Sequence, residues 1–462
     1  MNTLTCPLPL FRRLLLALAE DRRREAFVRV GVRQSASECE WLARDFALAP
    51  SGATGSQRSS GFRVSLVSSP PDVEVSRLSA ATFGDSIAGH LYLGAAPYRG
   101  RLWGAVRLDG DIRPLHRLFL AGSGMHSIQL LDSERRDESP ASIRRQQFIE
   151  QARWSRTIGA LGGKEIWRRL VRLRIGIVGC GRTGSLVAAT LARLGVRQIT
   201  LIDPDLVELH NLGEMDVVTG DDVGQAKAAA IADRLRPQTP RSSAILLPIV
   251  APITAPEARE AAKECDVLFC CADNDAARLA TAVIATLYHK VLIDIGTGIF
   301  FHATGGDRAD SGSARQSVRP NATMQTTLPS STPSLSLRRM GGDVRLILPS
   351  DGCLLCAGNL ANYQQAVEDL CNHRLPATVG ADWRRQRAGS LRTLNQLAAA
   401  LGVQMLQDLV AERIAATTWT QIECDEVGQL AVKYQAVHQQ GELATCALCA
   451  KTGLGDEGFR WR

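Results

Sequence analysis

A glycine-rich turn joins a short apolar strand to a helical pattern near the middle of the chain. Residues 175–184 read I-G-I-V-G-C-G-R-T-G, which places Gly179, Gly181 and Gly184 in a G-x-G-x-x-G pattern. Glycines there let backbone N–H groups approach a phosphate, and the following helix directs the positive end of its dipole at the same point. Asp203 ends the next predicted strand, where a carboxylate can accept hydrogen bonds from ribose. The pattern predicts a nucleotide-binding β-α-β unit and does not by itself separate NAD from ATP.

Strand and helix patterns alternate around this turn. Strands are predicted at residues 174–178, 198–202, 244–250 and 267–271, and the helices between them at 185–194, 225–235 and 255–264. Further elements are predicted as a helical segment at 141–173, a strand at 344–348 and a long helix at 390–416. This alternation indicates an α/β fold with a Rossmann-like, mostly parallel sheet and right-handed crossovers.

The 462 residues suggest about three domain-sized units. We predict an N-terminal α/β domain of unknown role at residues 1–137 and a nucleotide-binding domain at 141–462, joined by a linker at 134–140. The N-terminal domain contains a helix pattern at 10–27 and a loop at 51–60. The Ser-, Thr- and Pro-rich segment 304–336 is interpreted as a flexible insertion, and the residues after Cys449 as a loose tail.

Composition excludes several classes of protein. Hydrophobic residues make up 45% and charged residues 22%, which is typical of a folded, soluble chain. Apolar runs such as residues 14–19 are far shorter than the roughly 20 residues that span a bilayer, and this run has no signal cleavage site. We therefore expect a cytoplasmic protein without a membrane segment. The net charge of +7 is spread along the chain, so direct nucleic-acid binding is not expected.

Two C-x-x-C pairs, Cys353/Cys356 and Cys446/Cys449, indicate a metal site. Four thiolates form a closed tetrahedral Zn²⁺ site, which is structural because it leaves no position for substrate. The twelve cysteines are too few for a disulfide scaffold. Three of them, Cys265, Cys270 and Cys271, lie in or beside a predicted buried strand and are interpreted as core residues.

The remaining motifs extend the pattern on both sides of the glycine turn. They are Arg153-Trp154-Ser155-Arg156, Asp203-Pro204-Asp205, Asn211, Gly224-Gln225-Ala226-Lys227 and Cys271-Ala272-Asp273-Asn274. With the glycine turn and the cysteine pairs, they resemble the ThiF and MoeB family, whose relatives include ubiquitin-activating enzymes, over residues 153–449. The resemblance implies an adenylation fold that uses ATP and Mg²⁺.

The resemblance also implies roles for individual residues. Asp203, Asp205 and Asn211 would hold the ribose and the nucleotide. Lys227 would neutralise phosphate, and it is one of only six lysines among 54 basic residues. Asp273 would hold Mg²⁺ or orient the reacting carboxylate. For Lys227 and Asp273 the alternatives are a surface lysine and an Asx turn.

Two further residues are assigned roles by the resemblance. Arg156 would reach across a two-fold homodimer to the neighbouring nucleotide as an arginine finger, or would be an ordinary exposed helix residue. Cys371 lies in a segment that can carry a cysteine attacking the acyl-adenylate. His373 and Arg374 are close enough in sequence to lower the pKa of this thiol, and the alternative is an inert cysteine.

One position departs from the family pattern N-L-x-R-Q. Here the chain reads Asn211-Leu212-Gly213-Glu214-Met215, so an acid replaces a phosphate-facing arginine. A carboxylate there would repel ATP. Either Arg182, in the glycine loop, supplies the missing charge, or the site is weakened.

These observations predict ATP-dependent adenylation of the C-terminus of a ubiquitin-like protein. A thioester on Cys371 and transfer to a conjugating enzyme would follow, as in bacterial ubiquitin-like conjugation systems, some of which act in antiviral defence. The alternatives are a sulfur-carrier adenylyltransferase for cofactor or tRNA modification, a nicotinamide-dependent oxidoreductase, and a nucleotide-binding scaffold without activity. Tight NAD binding would favour the oxidoreductase, and failure to bind ATP would favour the scaffold.

Overall fold

A computed structural model of the protein contains two large sheets. It describes residues 1–20, 25–35, 38–48, 61–67, 87–94, 101–130, 152–239, 244–302, 336–357, 360, 363–371, 391–425, 427–435, 437 and 446–459. The predicted linker at 134–140, the loop at 51–60 and the insertion at 304–336, except Ser336, lie outside these residues.

The N-terminal sheet has nine strands. Among the described residues of this part of the chain there is one α-helix, α1 (Leu8–Glu20). Its strands are β1 (Asn2–Pro7), β2 (Glu25–Gln34), β3 (Cys39–Leu48), β4 (Gly61–Val67), β5 (Ile87–Gly94), β6 (Leu102–Leu108), β7 (Asp111–Pro114), β8 (Arg117–Ala121) and β9 (His126–Gln129). They are arranged in the order β7-β6-β5-β4-β2-β3-β1-β8-β9. The predicted helix at 10–27 ends at Glu20, because the sequence then alternates: Ala26 and Val28 are buried while Arg29 is exposed.

The second sheet has eight strands in the order β12-β11-β10-β13-β14-β15-β16-β17. They are β10 (Arg174–Val178), β11 (Gln198–Ile202), β12 (Ile245–Ile249), β13 (Val267–Cys270), β14 (Val291–His302), β15 (Ser336–Ile347), β16 (Thr418–Cys424) and β17 (Leu430–Gln435). Strands β10 to β13 pair in parallel, as predicted, and β14, which was not predicted, extends the parallel part. Strands β14 to β17 pair antiparallel, so the sheet is mixed.

Helices cover both faces of the second sheet. They are α2 (Ser155–Leu161), α3 (Lys164–Arg172), α4 (Arg182–Leu194), α5 (Lys227–Leu235), α6 (Pro256–Lys263), α7 (Asp275–Leu287), α8 (Tyr363–Cys371) and α9 (Arg392–Val410). One core packs α4 and α9 against strands β10 and β14, and a second core packs α6 and α7 on the opposite face. The described part of segment 141–173 is two helices instead of one, because Gly162 adopts a left-handed conformation with φ of 98° and ends α2.

The predicted loose tail after Cys449 is wrong. Leu454 packs against the core that contains α7, and Gly455 forms a β-bridge with Val32 of β2. Asp456 accepts a hydrogen bond from the Tyr288 hydroxyl at 2.6 Å and another from the Gln34 N–H at 3.1 Å. The segment therefore connects the two sheets. No helix within the described residues is long and apolar enough to cross a membrane.

Candidate nucleotide site and cysteine cluster

The carboxyl ends of three parallel strands meet at one edge of the second sheet. In the register of the sheet, Val178 of β10 lies beside Ile202 of β11 on one side and Cys270 of β13 on the other. The chain segments that follow these strands carry the glycine loop, Asp203 and Asp273. The fold therefore places at one edge three features that are far apart in sequence.

The three loop glycines have different surroundings. Gly179 has φ of 88°, and a Cβ on it would lie 2.8 Å from the backbone carbon of Cys271. A Cβ on Gly184 would lie 1.9 Å from the carbonyl oxygen of Gly179. A Cβ on Gly181 would meet no atom within 4 Å. Gly179 and Gly184 thus allow the tight turn, while Gly181 leaves open space at the N-terminus of α4, where no side chain caps the helix.

The carboxylate of Asp203 accepts backbone hydrogen bonds from the glycine loop and from Asp205. Its side chain is buried; Oδ2 accepts a hydrogen bond from the Cys180 N–H at 2.6 Å, and Oδ1 accepts one from the Asp205 N–H at 2.8 Å. Burial raises the pKa of Asp203 to about 6, against the opposing effects of Lys227 and the two N–H donors. Its carboxylate retains further lone pairs, so it can hold the loop and still accept a ligand hydroxyl.

Lys227 begins α5 and points its charge into the same site. Its Nζ lies 2.9 Å from Oδ2 of Asp205, and its side chain is only 12% exposed. Burial lowers the pKa of Lys227, but Asp203, Asp205 and Asp273 outweigh it, so the pKa is raised and the ammonium stays charged. The site therefore offers one fixed cation among three carboxylates.

Asp273 is exposed at the start of α7. The adjacent Asn274 caps that helix, because its Oδ1 accepts the Ala277 N–H at 2.8 Å. The alternative interpretation of Asp273 was a side chain that forms an Asx turn. The structure gives this type of contact to Asn274 and not to Asp273. Within the part of the chain that the structure describes, no hydrogen bond or ion pair engages the Asp273 carboxylate, which is available to a cation.

Asn211 and Glu214 lie in a turn that faces the start of α4. The Asn211 Oδ1 accepts the Glu208 N–H at 2.9 Å, so part of this side chain stabilises its own turn. Nη1 of Arg182 lies 3.6 Å from Oε2 of Glu214. Arg182, at the first position of α4, is therefore paired with the acid that departs from the family pattern.

Sequence reasoning missed two residues that fix this turn. The Ser185 hydroxyl accepts the Asp216 N–H at 2.9 Å, and Nη1 of Arg392 donates to the Met215 carbonyl at 2.8 Å. Neither residue belongs to a recognisable motif. The start of α9 becomes part of the site only through the tertiary fold.

Arg156 is exposed on α2, away from the glycine loop of its own chain. The indole N–H of Trp154 donates to the Arg193 carbonyl at 2.8 Å, which anchors α2 at the C-terminal end of α4. Since α4 has 13 residues, this end lies about 20 Å from the glycine loop. The structure does not bring Arg156 to the site within one chain.

Cys371 is the last residue of α8, and α8 packs against α7, the helix that begins beside Asp273. Its predicted neighbours His373 and Arg374 lie outside the described residues. The three cysteines interpreted as core residues are placed as predicted: Cys265 and Cys270 are buried, and Cys271 is half-buried beside them.

The four cysteines of the C-x-x-C pairs converge. Sγ of Cys353 lies 3.7 Å from Sγ of Cys356 and 3.6 Å from that of Cys446, and Cys356 lies 3.5 Å from Cys449. Tetrahedral Zn²⁺ with bonds of about 2.3 Å separates its sulfur ligands by about 3.8 Å. Hydrogen bonds from neighbouring thiols lower the pKa of Cys353, whereas burial raises the pKa of Cys356 and the hydrogen bond to Cys353 raises that of Cys449. A bound metal would be needed to deprotonate all four thiols. The ligand set and spacing fit zinc.

Comparisons with known proteins find similarities over part of the chain. Residues 154–302 match the ThiF family. A stretch of 125 residues is 34% identical to adenylyltransferase and sulfurtransferase uba4 of Aspergillus clavatus, covering 27% of this chain and 25% of that protein. A stretch of 119 residues is 29% identical to ATP-dependent ubiquitin transferase-like protein Cap2 of Enterobacter hormaechei, covering 26% and 20%.

One further curated protein and one solved structure are similar to this chain over longer stretches. The sulfur carrier protein adenylyltransferase of Thermus thermophilus is 29% identical over 149 residues, covering 31% of this chain and 54% of that protein. The crystal structure of E. coli MccB with AMPCPP and MccA superposes with a TM-score of 0.44 at 18% identity, covering 64% of this chain and 74% of that one. The chain thus spans between a fifth and about half of the length of these curated relatives.

Proposed function

From the premise that residues 154–302 form a ThiF family domain, we propose that the chain is an ATP-dependent adenylyltransferase acting on the C-terminal carboxylate of a ubiquitin-like protein. One observation carries the proposal: the open glycine Gly181, the charged Lys227 and the exposed Asp273 lie at the same sheet edge. This combination suits a polyphosphate, because it provides room for phosphate, a cation and a carboxylate able to hold a metal.

In the proposed reaction a carboxylate oxygen of the protein substrate attacks the α-phosphorus of ATP. The new C–O–P bond forms as the bond from the α-phosphorus to the bridging oxygen breaks, and pyrophosphate leaves with that electron pair. Lys227 stabilises charge on the phosphates, and the N-terminus of α4 adds its backbone N–H groups. Mg²⁺ bound by Asp273 would neutralise the leaving pyrophosphate. Zn²⁺, held by Cys353, Cys356, Cys446 and Cys449, would be structural.

We propose a homodimer in which Arg156 serves the partner's nucleotide. The support is its position: Arg156 is exposed on α2, which Trp154 anchors to the C-terminal end of α4, and this end lies about 20 Å from the glycine loop of the same chain. Mixing Arg156→Ala with Asp273→Ala subunits should partly restore activity, because one site of each mixed dimer is intact. A dead mixture of demonstrably exchanged subunits would exclude sharing.

We further propose that Cys371 receives the activated group. Its thiolate sulfur would attack the acyl carbon of the adenylate, forming a thioester and releasing AMP. The similarity to the ubiquitin transferase-like protein Cap2 supports passage to a conjugating enzyme in a bacterial ubiquitin-like system, with antiviral defence as one setting. The similarity to the Thermus protein supports the second candidate, activation of a sulfur carrier.

The proposal is tested by exchange of labelled pyrophosphate into ATP with Mg²⁺ and a candidate ubiquitin-like protein that has a free C-terminus. We expect Asp273→Ala to reduce exchange about a hundredfold, because a bound metal supplies several kcal/mol of charge stabilisation. Asp233→Ala, at an exposed position on α5, is the matched control and should exchange normally. Full exchange by Asp273→Ala would overturn the assignment.

The same assay separates the two candidate substrates. Cys371→Ala should keep exchange, since forming the adenylate needs no thiol, and should lose a reductant-sensitive adduct with the small protein. An adduct that persists in the variant would move the role to another cysteine. A parent protein that exchanges pyrophosphate but forms no adduct would favour the sulfur carrier.

A further inference from the structure

Arg182 and Glu214 form an ion pair at the mouth of the glycine loop. Arg182 is the first residue of α4, and its Nη1 lies 3.6 Å from Oε2 of Glu214. The two side chains are 39% and 33% exposed. The pair therefore lies at the open end of the loop, beside the space in front of Gly181.

The backbone around Glu214 is fixed relative to α4. The Glu214 N–H donates to the Asn211 carbonyl at 3.0 Å, and the Asp216 N–H donates to the Ser185 hydroxyl at 2.9 Å. Since Ser185 lies one turn along α4 from Arg182, the acid and the arginine are held on facing elements. Arg392 anchors the other side of the same turn through the Met215 carbonyl.

The pair is poorly suited to a purely structural role. A half-exposed pair with its nearest charged atoms 3.6 Å apart is longer than a hydrogen bond and contributes little to folding stability. Its charges matter more to a ligand. A triphosphate carries several negative charges, whereas Glu214 carries one, and phosphate oxygens can bind a guanidinium through two parallel hydrogen bonds. Without the arginine, the carboxylate would repel a triphosphate at the same point.

We propose that Arg182 binds the phosphates of the nucleotide and that Glu214 is a positioning residue, which holds the guanidinium at the loop until the nucleotide takes over its donors. The inference rests on the proposed function and adds to it a division of labour between two residues. Arg182 contacts the ligand, and Glu214 acts only through Arg182.

Isothermal titration with Mg-ATP and, separately, with adenosine tests the part played by Arg182. Arg182→Ala should weaken ATP binding about tenfold, equivalent to about 1.4 kcal/mol, and leave adenosine binding unchanged, because adenosine has no phosphate. Arg193→Ala removes the same charge from the other end of α4 and should change neither. If Arg182→Ala fails to fold, Arg182→Lys keeps the charge without the planar fork and should weaken ATP binding less than tenfold.

Double substitution tests the part played by Glu214. Glu214→Gln should weaken ATP binding in the parent, where the guanidinium loses the group that positions it, and should not weaken binding in Arg182→Ala, where no guanidinium remains to be positioned. The exchanged pair Arg182→Glu/Glu214→Arg should stay within about threefold of the parent, a difference of about 0.7 kcal/mol. Melting temperatures of all variants should match that of the parent, because a half-exposed pair contributes little to stability.

The outcomes separate this inference from the proposed function. ATP affinity of Arg182→Ala equal to that of Arg193→Ala would overturn the inference alone. A Glu214→Gln variant that binds ATP as tightly as the parent would overturn the role of Glu214. A parent protein that binds neither ATP nor adenosine would overturn the proposed function and the inference that rests on it.

Discussion

Two glycines three residues apart in the same loop meet opposite surroundings. Gly184 touches the carbonyl oxygen of Gly179, whereas Gly181 faces open space. Substitution by alanine should therefore lower folding stability at Gly184 and weaken ATP binding at Gly181. The motif alone treats both positions as equivalent, and only the packed loop distinguishes Gly184, which shapes the turn, from Gly181, which faces open space.

Gly181→Ala should leave the melting temperature close to that of the parent and weaken ATP binding, because its methyl group occupies the ligand's space. Gly184→Ala should lower stability by about 1–3 kcal/mol, the usual cost of overpacking, because its Cβ would lie 1.9 Å from the Gly179 oxygen. Thermal unfolding and ATP titration of both variants check this. Equal stability of the two would contradict it.

Asp203 gives stability a defined pH dependence. Burial raises its pKa to about 6, so the folded state holds this proton more tightly than the unfolded chain does. The contribution of Asp203 is therefore fully present below about pH 4 and is lost as the pH rises through 6. Asp203→Asn removes the titration. The stability advantage of the parent over the variant should shrink by up to about 3 kcal/mol between pH 4 and pH 7.

Urea unfolding of the two proteins across this range measures the effect. The variant also loses one acceptor for the N–H groups of Cys180 and Asp205, which lowers its stability at every pH. Only the change in the difference between the proteins reports the titration. Parallel pH profiles would show that Asp203 does not titrate in this range.

Individual elements follow the sequence closely where the apolar pattern is continuous. Strands β10 and β11 have the predicted bounds, because each is a short buried run between clear turns. Helix α4 begins three residues before its prediction, at Arg182, since the helix includes the last glycine of the loop. The hairpin of β16 and β17 was not predicted, although Asp425 and Gly428 in its turn are typical signals.

The cysteine cluster is an element that a metal would complete. We expect about one zinc per chain, and Cys356→Ser should lower zinc content and melting temperature together, because structural zinc contributes folding free energy. Cys424→Ser, at the end of β16 and outside the cluster, is the control and should retain zinc. Metal analysis by mass spectrometry checks both, and a parent without zinc would contradict the assignment.

At the scale of the whole molecule, buried charges join the two sheets. Glu40 of β3 accepts a hydrogen bond from Nε of Arg33 at 2.8 Å and lies 3.4 Å from Nζ of Lys290, which precedes β14. Although burial opposes its charge, Lys290 and Arg33 lower the pKa of Glu40 to about 2. Removing one partner of such a group leaves an uncompensated buried charge, so the contact fixes the two sheets together.

The segment after the cysteine cluster makes a second connection, centred on Asp456. Its Oδ1 accepts hydrogen bonds from the Tyr288 hydroxyl and from Nζ of Lys263, and its Oδ2 accepts the Gln34 N–H. Asp456→Ala should increase amide exchange at Gln34 about tenfold, because a hydrogen bond to a charged group contributes about 1.5–3 kcal/mol. Hydrogen-exchange mass spectrometry of β2 measures it.

The neighbouring residue provides the control. Glu457 is exposed, and Glu457→Ala removes the same charge from the same segment without touching β2. Its exchange should match that of the parent. If both variants exchange alike, the segment does not hold the N-terminal sheet.

The sequence alone predicted the glycine turn, four of the five parallel strands of the second sheet and the cysteine cluster, because each depends on local spacing: glycines around a turn, apolar runs, and C-x-x-C pairs. Tertiary structure decided what depends on distant partners. It paired Arg182 with Glu214, joined Lys227 to Asp205, placed Arg156 away from its own loop and packed the segment after Cys449 between two sheets. These contacts join residues whose spacing in the chain carries no period, so the sequence contains no local pattern that predicts them.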